Sequence, residues 1–282
     1  MKKIGQFEIS RVVESEGPFL ELQAFIPDAT MDVVEANRDW LIPRYIEAES
    51  LKIVLNIQSY LLRTPRHTIL VDTCVGNHKN RPGRDMFHQL DLPYLADLAA
   101  AGVQPEEVDF VLCTHLHVDH VGWNTKLLNG RWVPTFPNAK YIFARDEYQA
   151  MEDEGHQIFI DNLLPIMEAK QAILVDLDYA LDDQVWLEPT IGHSIGHVAI
   201  HLKSGGARAA MCGDLIHSPV QLAEPDWSCN SDYDLAMSTK TRKDFLDTHC
   251  DTDTLVLTSH FPSPSVGHII SNGDIYDFKY GS

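Results

Sequence analysis

The sequence predicts an α/β fold. Short apolar runs of strand length alternate with helical stretches along the whole chain, and 44% of the 282 residues are apolar, enough for a substantial core. No repeat of fixed 20–50-residue period and no low-complexity tract interrupts the alternation, so one domain over residues 1–282 is expected.

In chain order, residues 7–13 read as a first strand. Residues 14–50 are apolar yet broken by Pro18, Pro27 and Pro43, with Phe19, Leu20, Phe25, Ile26, Trp40 and Leu41 among them. That suits a lid, a subunit contact or an N-terminal extension over the core rather than one long helix. Residues 51–62 and 68–71 predict two strands joined by a turn at Thr64-Pro65, and residues 77–84 a loop. A helix is expected over 90–101, stopped by Gly102, and a strand over 108–113. Residues 132–143 end in a strand at Tyr141, Ile142 and Phe143. Residues 146–151, 159–169 and 240–247 read as helices, and 173–177, 185–187, 198–202, 208–212 and 255–257 as strands.

The formal charge of −19 argues against nucleic acid or an anionic membrane as a partner. Five cysteines without a CxxC spacing predict a reduced protein free of disulfides. Lys2 and Lys3 are not followed by an apolar signal core, and no window reaches the roughly 18 apolar residues of a membrane span, so a cytoplasmic location is expected.

The chemistry concentrates in Thr114-His115-Leu116-His117-Val118-Asp119-His120-Val121-Gly122, directly after the strand expected at 108–113. Three imidazoles and a carboxylate within six residues point to a metal site. His115 and His117 are two apart, so an extended backbone directs both to one cation. Asp119 and His120 follow the bend, in what reads as the first turn of a helix, and can face a second. Gly122 allows a tight backbone behind them. Three further candidates stand where apolar runs end: His197 in Gly192-His193-Ser194-Ile195-Gly196-His197, Asp214 after Gly213, and His260 in Thr258-Ser259-His260. His197 abuts the strand at 198–202 and is the better ligand candidate. His193 reads as a histidine that hydrogen-bonds in the turn. Asp72, at the end of the strand over 68–71, is expected to hold a ligand histidine. The tally is His115, His117 and His197 on one cation, Asp119, His120 and His260 on the other, and Asp214 between them. Imidazole and carboxylate donors without thiolate suit zinc, or manganese, iron, cobalt or nickel.

Together HLHVDH, GHSIGH, Gly213-Asp214 and His260 resemble the metallo-β-lactamase superfamily, in the same order along the chain. The resemblance implies an αβ/βα four-layer sandwich, two facing mixed sheets with helices outside, and a dinuclear metal site at the sheet edges. It is similar to the branch of methyl parathion hydrolase and the quorum-quenching lactonases. True β-lactamases of this fold carry Cys at the place of Asp214, and flavodiiron oxidoreductases carry Glu at the place of His117. Homoserine-lactone hydrolases place Tyr three residues after the bridging Asp; here His217 stands there, which points away from acyl-homoserine lactone as natural substrate.

The expected reaction is hydrolysis of a small neutral lactone or other carboxylic ester by a metal-bridging hydroxide, with phosphotriesterase side activity. Asp119 would orient the nucleophile and carry a proton, and His217 would donate to the substrate or its oxyanion. Trp123, Trp227, Tyr233, Phe19, Phe25 and Trp40 are candidates for pocket walls. An iron-dependent dioxygenase or a glyoxalase II-like thioesterase of the same superfamily is the alternative. A homodimer is the expected assembly.

Overall fold

The computed structural model describes residues 1–281, which divide into two compact units. One comprises Met1–Ser15 and Ile57–Tyr179; the other comprises Glu16–Asn56 and the chain from Ala180 onward. The fifteen strands among the described residues are β1 (Lys2–Ile4), β2 (Phe7–Glu21), β3 (Lys52–Arg63), β4 (Thr68–Val71), β5 (Phe110–Leu112), β6 (Thr125–Leu128), β7 (Arg131–Pro134), β8 (Lys140–Ala144), β9 (Ala172–Val175), β10 (Val185–Pro189), β11 (Val198–Ser204), β12 (Ala207–Met211), β13 (Leu255–Leu257), β14 (Val266–Asn272) and β15 (Ile275–Tyr280).

The first unit is built on a mixed sheet of order β1-β2-β3-β4-β5-β8-β9, in which β4, β5, β8 and β9 run parallel. Parallel neighbours need crossovers, and helices supply two of the three: Tyr94–Ala100 lies between β4 and β5, and Arg145–Glu154, Gln157–Asn162 and Leu164–Glu168 lie between β8 and β9, while the β6–β7 hairpin lies between β5 and β8. The continuous apolar runs of β4 and β5 are buried, as expected of parallel strands covered on both faces. Val71 pairs with Leu112, so the C-terminal ends of β4 and β5 lie side by side and deliver Asp72 next to Thr114. The β6–β7 hairpin stands outside this sheet.

The second unit holds the sheet β10-β11-β12-β13-β14-β15, antiparallel except where β12 and β13 run parallel. Met211 pairs with Leu257, so Asp214 and His260, each three residues beyond its strand, leave the same edge. β11 is antiparallel to β12, with Ile200 opposite Met211, so the start of β11 lies at that edge too. Register alone therefore brings three distant stretches together. Beneath them Leu215, Leu222, Leu246, Val256, Phe261 and Ile269 are part of one buried cluster.

Several elements differ from the sequence reading for local reasons. The helix expected from residue 90 begins at Tyr94, after Pro93. The one expected over 159–169 is split in two, with Pro165 in the first turn of the second part. The helix expected over 240–247 runs Leu235–His249, because Asp234 caps it by accepting the Met237 N–H at 2.9 Å. The β14–β15 hairpin was overlooked, although its two-residue turn Gly273-Asp274, with Gly273 at φ +65° in the first central position, is one such hairpins favour. Residues 22–55 are packed into the fold: Phe25, Ile26, Val34, Leu41 and Ile53 share a cluster with Val220, Trp227 and Cys229. No helix among the described residues is long and apolar enough to cross a membrane, and all five cysteines carry free thiols.

On β10 and β11, Trp186 pairs with His201, and their rings stack with centroids 5.4 Å apart. The end of helix Leu235–His249 brings His249 within 5.9 Å of the His201 ring. Burial pushes the His201 imidazole down to about 4, and burial and then His201 hold His249 below its ordinary value. An imidazole whose pKa falls on folding leaves the unfolded chain with more protons between the two values. Native stability is therefore present above about pH 6.5 and lost as pH falls toward 4. His201→Gln should remove up to roughly 3 kcal/mol of that acid loss, read from denaturant melts at pH 7 and pH 4.5. An unchanged dependence on pH would contradict it.

Candidate metal centre

Each unit carries its own set of donors. In the first, the backbone bends straight after β5, and Asp72 organises the bend. Its carboxylate accepts the Thr114 N–H at 2.8 Å and the Thr114 hydroxyl at 2.9 Å. It also accepts His120 Nδ1–H at 2.9 Å, so it does hold a histidine of the cluster. A neutral imidazole that donates through Nδ1 presents a lone pair at Nε2. His115 lies 4.1 Å from His120 and 4.5 Å from His117, centroid to centroid. His115 and His120 are buried, while His117 and Asp119 are half-buried.

Residues 117–120 form turns rather than the helix expected there, closed by the His120 N–H to the His117 carbonyl at 3.1 Å; a short 3-10 turn follows only at Gly122–Asn124. Gly122 is required by close approach. A Cβ there would fall 1.8 Å from the Val75 carbonyl oxygen. Glu14 fixes the facing strand end by accepting the N–H groups of Val75 and Gly76 and the Trp123 indole N–H at 2.7–3.0 Å. Trp123 thus belongs to the core, stacked on Tyr94 at 5.1 Å, and is no pocket wall.

In the second unit the centre is Asp214, 3% exposed, in a tight turn after Gly213. Its Oδ1 is 2.9 Å from His260 Nε2; its Oδ2 is 3.1 Å from His217 Nε2 and 3.4 Å from His193 Nε2. His260 donates its Nδ1–H to the Asn56 carbonyl at 2.8 Å, and His193 donates its own to Asp232 at 2.7 Å. Their Nε2 atoms, when neutral, are lone pairs facing carboxylate lone pairs. Such contacts are repulsive unless a positive charge lies between them, so the donors fit a cation. Oxygen and imidazole nitrogen without thiolate suit a divalent transition-metal ion.

His217 is different. Burial pushes the Cys229 thiol well above its ordinary range, so it keeps its proton, and the sulfur already accepts from Gln221. The Asp214 carboxylate can only accept, so a neutral His217 donates Nε2–H to it at 3.1 Å, and Nδ1 accepts the Cys229 S–H at 3.2 Å. Phe25 meets the His217 ring edge-on at 5.1 Å, and His260 stacks on it at 5.4 Å.

His197 is placed otherwise than expected. Its Nδ1–H goes to Thr190, 2.8 Å from the hydroxyl, and its Nε2 accepts the Asp214 N–H at 3.0 Å. Both ring nitrogens are spent on backbone support because the residue is drawn into the β10–β11 ladder, its carbonyl accepting from Thr190 N–H. His193, on the loop before it, is the histidine that faces the carboxylate. Gly192 makes that loop possible: at φ +141° it abuts Ser238, and a Cβ would sit 2.3 Å from the Ser238 nitrogen.

Asp232, Cys229 and Arg242 were missed from the sequence. Arg242 is fully buried and donates to the carbonyls of Leu215, Pro225 and Trp227 at 2.9–3.3 Å, tying down the loop that carries Asp214 and His217. A lone Arg in a polar helix gives no sign of this. Of the other suggested walls, Trp227 is buried in the cluster around Val220, Trp40 packs against that cluster, and Tyr233 is 70% exposed.

Comparison with known proteins agrees with this architecture. The sequence profile of the metallo-β-lactamase superfamily matches residues 53–268. The N-acyl homoserine lactonase of Bacillus cereus is 29% identical over 162 residues, 53% of this chain and 59% of that one. The lactonase AiiB of Agrobacterium fabrum is 28% identical over 100 residues, 31% of this chain and 35% of that one. This chain thus spans about three fifths of the length of the curated Bacillus relatives it matches. Among solved structures, the hydrolase AbOPH of the β-lactamase superfamily superposes with a TM-score of 0.82 at 22% identity, covering 100% of this chain and 96% of that one. AidC, a dizinc quorum-quenching lactonase, gives 0.76 at 23% identity with the same coverage.

Arg242→Met should cost about 3 kcal/mol or more, since three buried carbonyls lose their donor. Equilibrium denaturation reads this directly; a change below 1 kcal/mol would mean the loop is held by other means.

Proposed function

The chain belongs to the metallo-β-lactamase superfamily, and from that premise we propose that it is a dinuclear metal-dependent hydrolase of lactones or other carboxylic esters, with phosphotriesters as a side activity. The observation that carries this reading is the Asp214 carboxylate. Its two oxygens face different imidazoles, and those of His193 and His260 are fixed through Nδ1 so that Nε2 points at it. Together with the family assignment, that supports Asp214 as the bridging ligand. His115, His117 and His193 would hold one cation; Asp119, His120 and His260 would hold the other. His193 takes the place first given to His197, whose nitrogens are engaged by Thr190 and the Asp214 N–H. The names of the lactonase relatives support a lactone or similar ester as substrate.

Bound there, two divalent cations of the zinc type would bring the pKa of a water toward about 7 and polarise a carbonyl. The residues do the rest. Asp72, Asp232 and the Asn56 carbonyl hold three ligand rings in orientation. Asp119, half-buried, would orient the attacking water and carry its proton to the leaving alkoxide. His217, whose Nε2–H is set by Cys229, would donate to the oxygen of the substrate on which charge develops. Phe25 would shield that ring from water and offer an apolar wall. His217 has no acidic phenol, unlike the Tyr of homoserine-lactone hydrolases, which supports a substrate other than acyl-homoserine lactone. We further propose that both units form one domain, that residues 14–50 line its substrate side, and that the enzyme is a cytoplasmic homodimer.

A panel of lactones, aryl esters, thioesters and phosphotriesters, run with the metal-replete enzyme, tests the reading. Lactones or aryl esters should be turned over with two metal ions at the Asp214 centre of each chain; one oxygen-sensitive iron there and no ester turnover would reverse it in favour of a dioxygenase. His117→Ala and Asp214→Asn should lower turnover by orders of magnitude with the fold intact, and near-normal hydrolysis by His117→Ala would refute the metal mechanism. His193→Ala should lose bound metal where His197→Ala retains it, and the opposite ranking would restore His197 as ligand. His217→Phe should lower kcat while metal content stays at wild-type level; unchanged kinetics would make it a packing residue.

A further inference from the structure

A second group of imidazoles lies on β11 and the C-terminal end of helix Leu235–His249. His201 is four residues beyond His197 along the strand, roughly 13 Å from it at strand rise, so it is not part of the centre described above. Its Nε2 is buried and accepts or donates no hydrogen bond. Oε2 of Glu188 stands 2.8 Å from it, in a direction that does not make a hydrogen bond. Glu188 and Trp186 are two apart on β10 and so share a face. His249 supplies the second imidazole, its ring 5.9 Å from that of His201 and braced by Phe245 at 4.4 Å. The three side chains border a pocket of about 210 Å³, together with Trp186, Arg208, Thr248 and Thr254.

We propose that Glu188, His201 and His249 form a separate site for a Zn²⁺-type transition-metal cation. Two imidazoles and a carboxylate are a donor set that such ions select. Burial favours the neutral imidazoles that coordination needs, so no proton has to be displaced at neutral pH. A cation would satisfy His201 Nε2, which no protein group does. It would also meet the negative end of a fifteen-residue helix, whose last turn carries His249. Coordination at about 2.0–2.1 Å requires His249 and Glu188 to turn toward His201. Glu188 is free to do so, its side chain being 55% exposed. The ion would then clamp β10 and β11 to the end of the helix, a structural rather than a catalytic role.

The test uses the full-length, metal-replete protein dialysed against Zn²⁺, with bound metal counted by mass spectrometry and Tm recorded with and without added Zn²⁺. Wild type should hold one more equivalent per chain than Glu188→Gln or His249→Ala, and added Zn²⁺ should raise its Tm but not theirs. Equal counts and equal Tm shifts in all three would overturn the site and leave His201 and His249 as packing residues. Glu188→Gln alters a largely exposed side chain, so it reports even if His249→Ala does not fold. Ester turnover is measured in parallel and should be the same in all three. A chain that hydrolyses no ester but still shows the difference in count would refute the proposed function and retain this site.

Discussion

A buried carboxylate must be met by positive charge or by hydrogen-bond donors, and the second unit is arranged around that requirement at Asp214. His217 meets it as a donor: its Nδ1 accepts the Cys229 S–H, and its Nε2–H points toward the acid. When neutral, His193 and His260 cannot, because each has already committed its one N–H, at Nδ1, to Asp232 or to the Asn56 carbonyl. The same device appears in the first unit, where Asp72 takes His120 Nδ1–H. Partners on the far side of each ring therefore decide which histidines act as donors and which as acceptors toward Asp214. In the proposed function that division separates a metal ligand from a proton donor to substrate.

The backbone makes this arrangement inexpensive. In each unit a parallel strand pair ends in register, β4 with β5 and β12 with β13, so residues far apart in sequence emerge at one edge without long loops. Two glycines then let the chain approach more closely than any side chain permits: Gly122 against Val75 and Gly192 against Ser238. Arg242 adds the last restraint by collecting the carbonyls of the Asp214 loop. Rigid mounts of this kind suit a site whose donors must stay within a few tenths of an ångström.

Much of this was legible in the sequence, because the informative signals are local. The run from Thr114 to Gly122 contains its own chemistry, and apolar runs ending at Asp214 and His260 announced strand ends. The strands that carry them lie close to where hydrophobic pattern put them. Asp72 was readable because it follows an apolar strand directly. What was not legible is set by partners at a distance. Choosing between His193 and His197 depends on Asp232, 39 residues from one, and on Thr190, claimed by the other through strand register. The tautomer of His217 depends on Cys229, which looks like any cysteine in a polar stretch. Residues 14–50 read as proline-broken and ambiguous, since those from Leu22 to Ile46 that are buried fill a cluster with Val220 and Trp227 that periodicity does not reveal.

In the proposed function one pair of cations is held with Asp214 between them. Anomalous diffraction from crystals of the zinc-replete protein decides whether it is. Two peaks about 3.5–4 Å apart, one on each side of the Asp214 carboxylate and within bonding distance of His193 and His260, are the predicted result. A single peak, or peaks coordinated by His197 with His193 turned away, would contradict it.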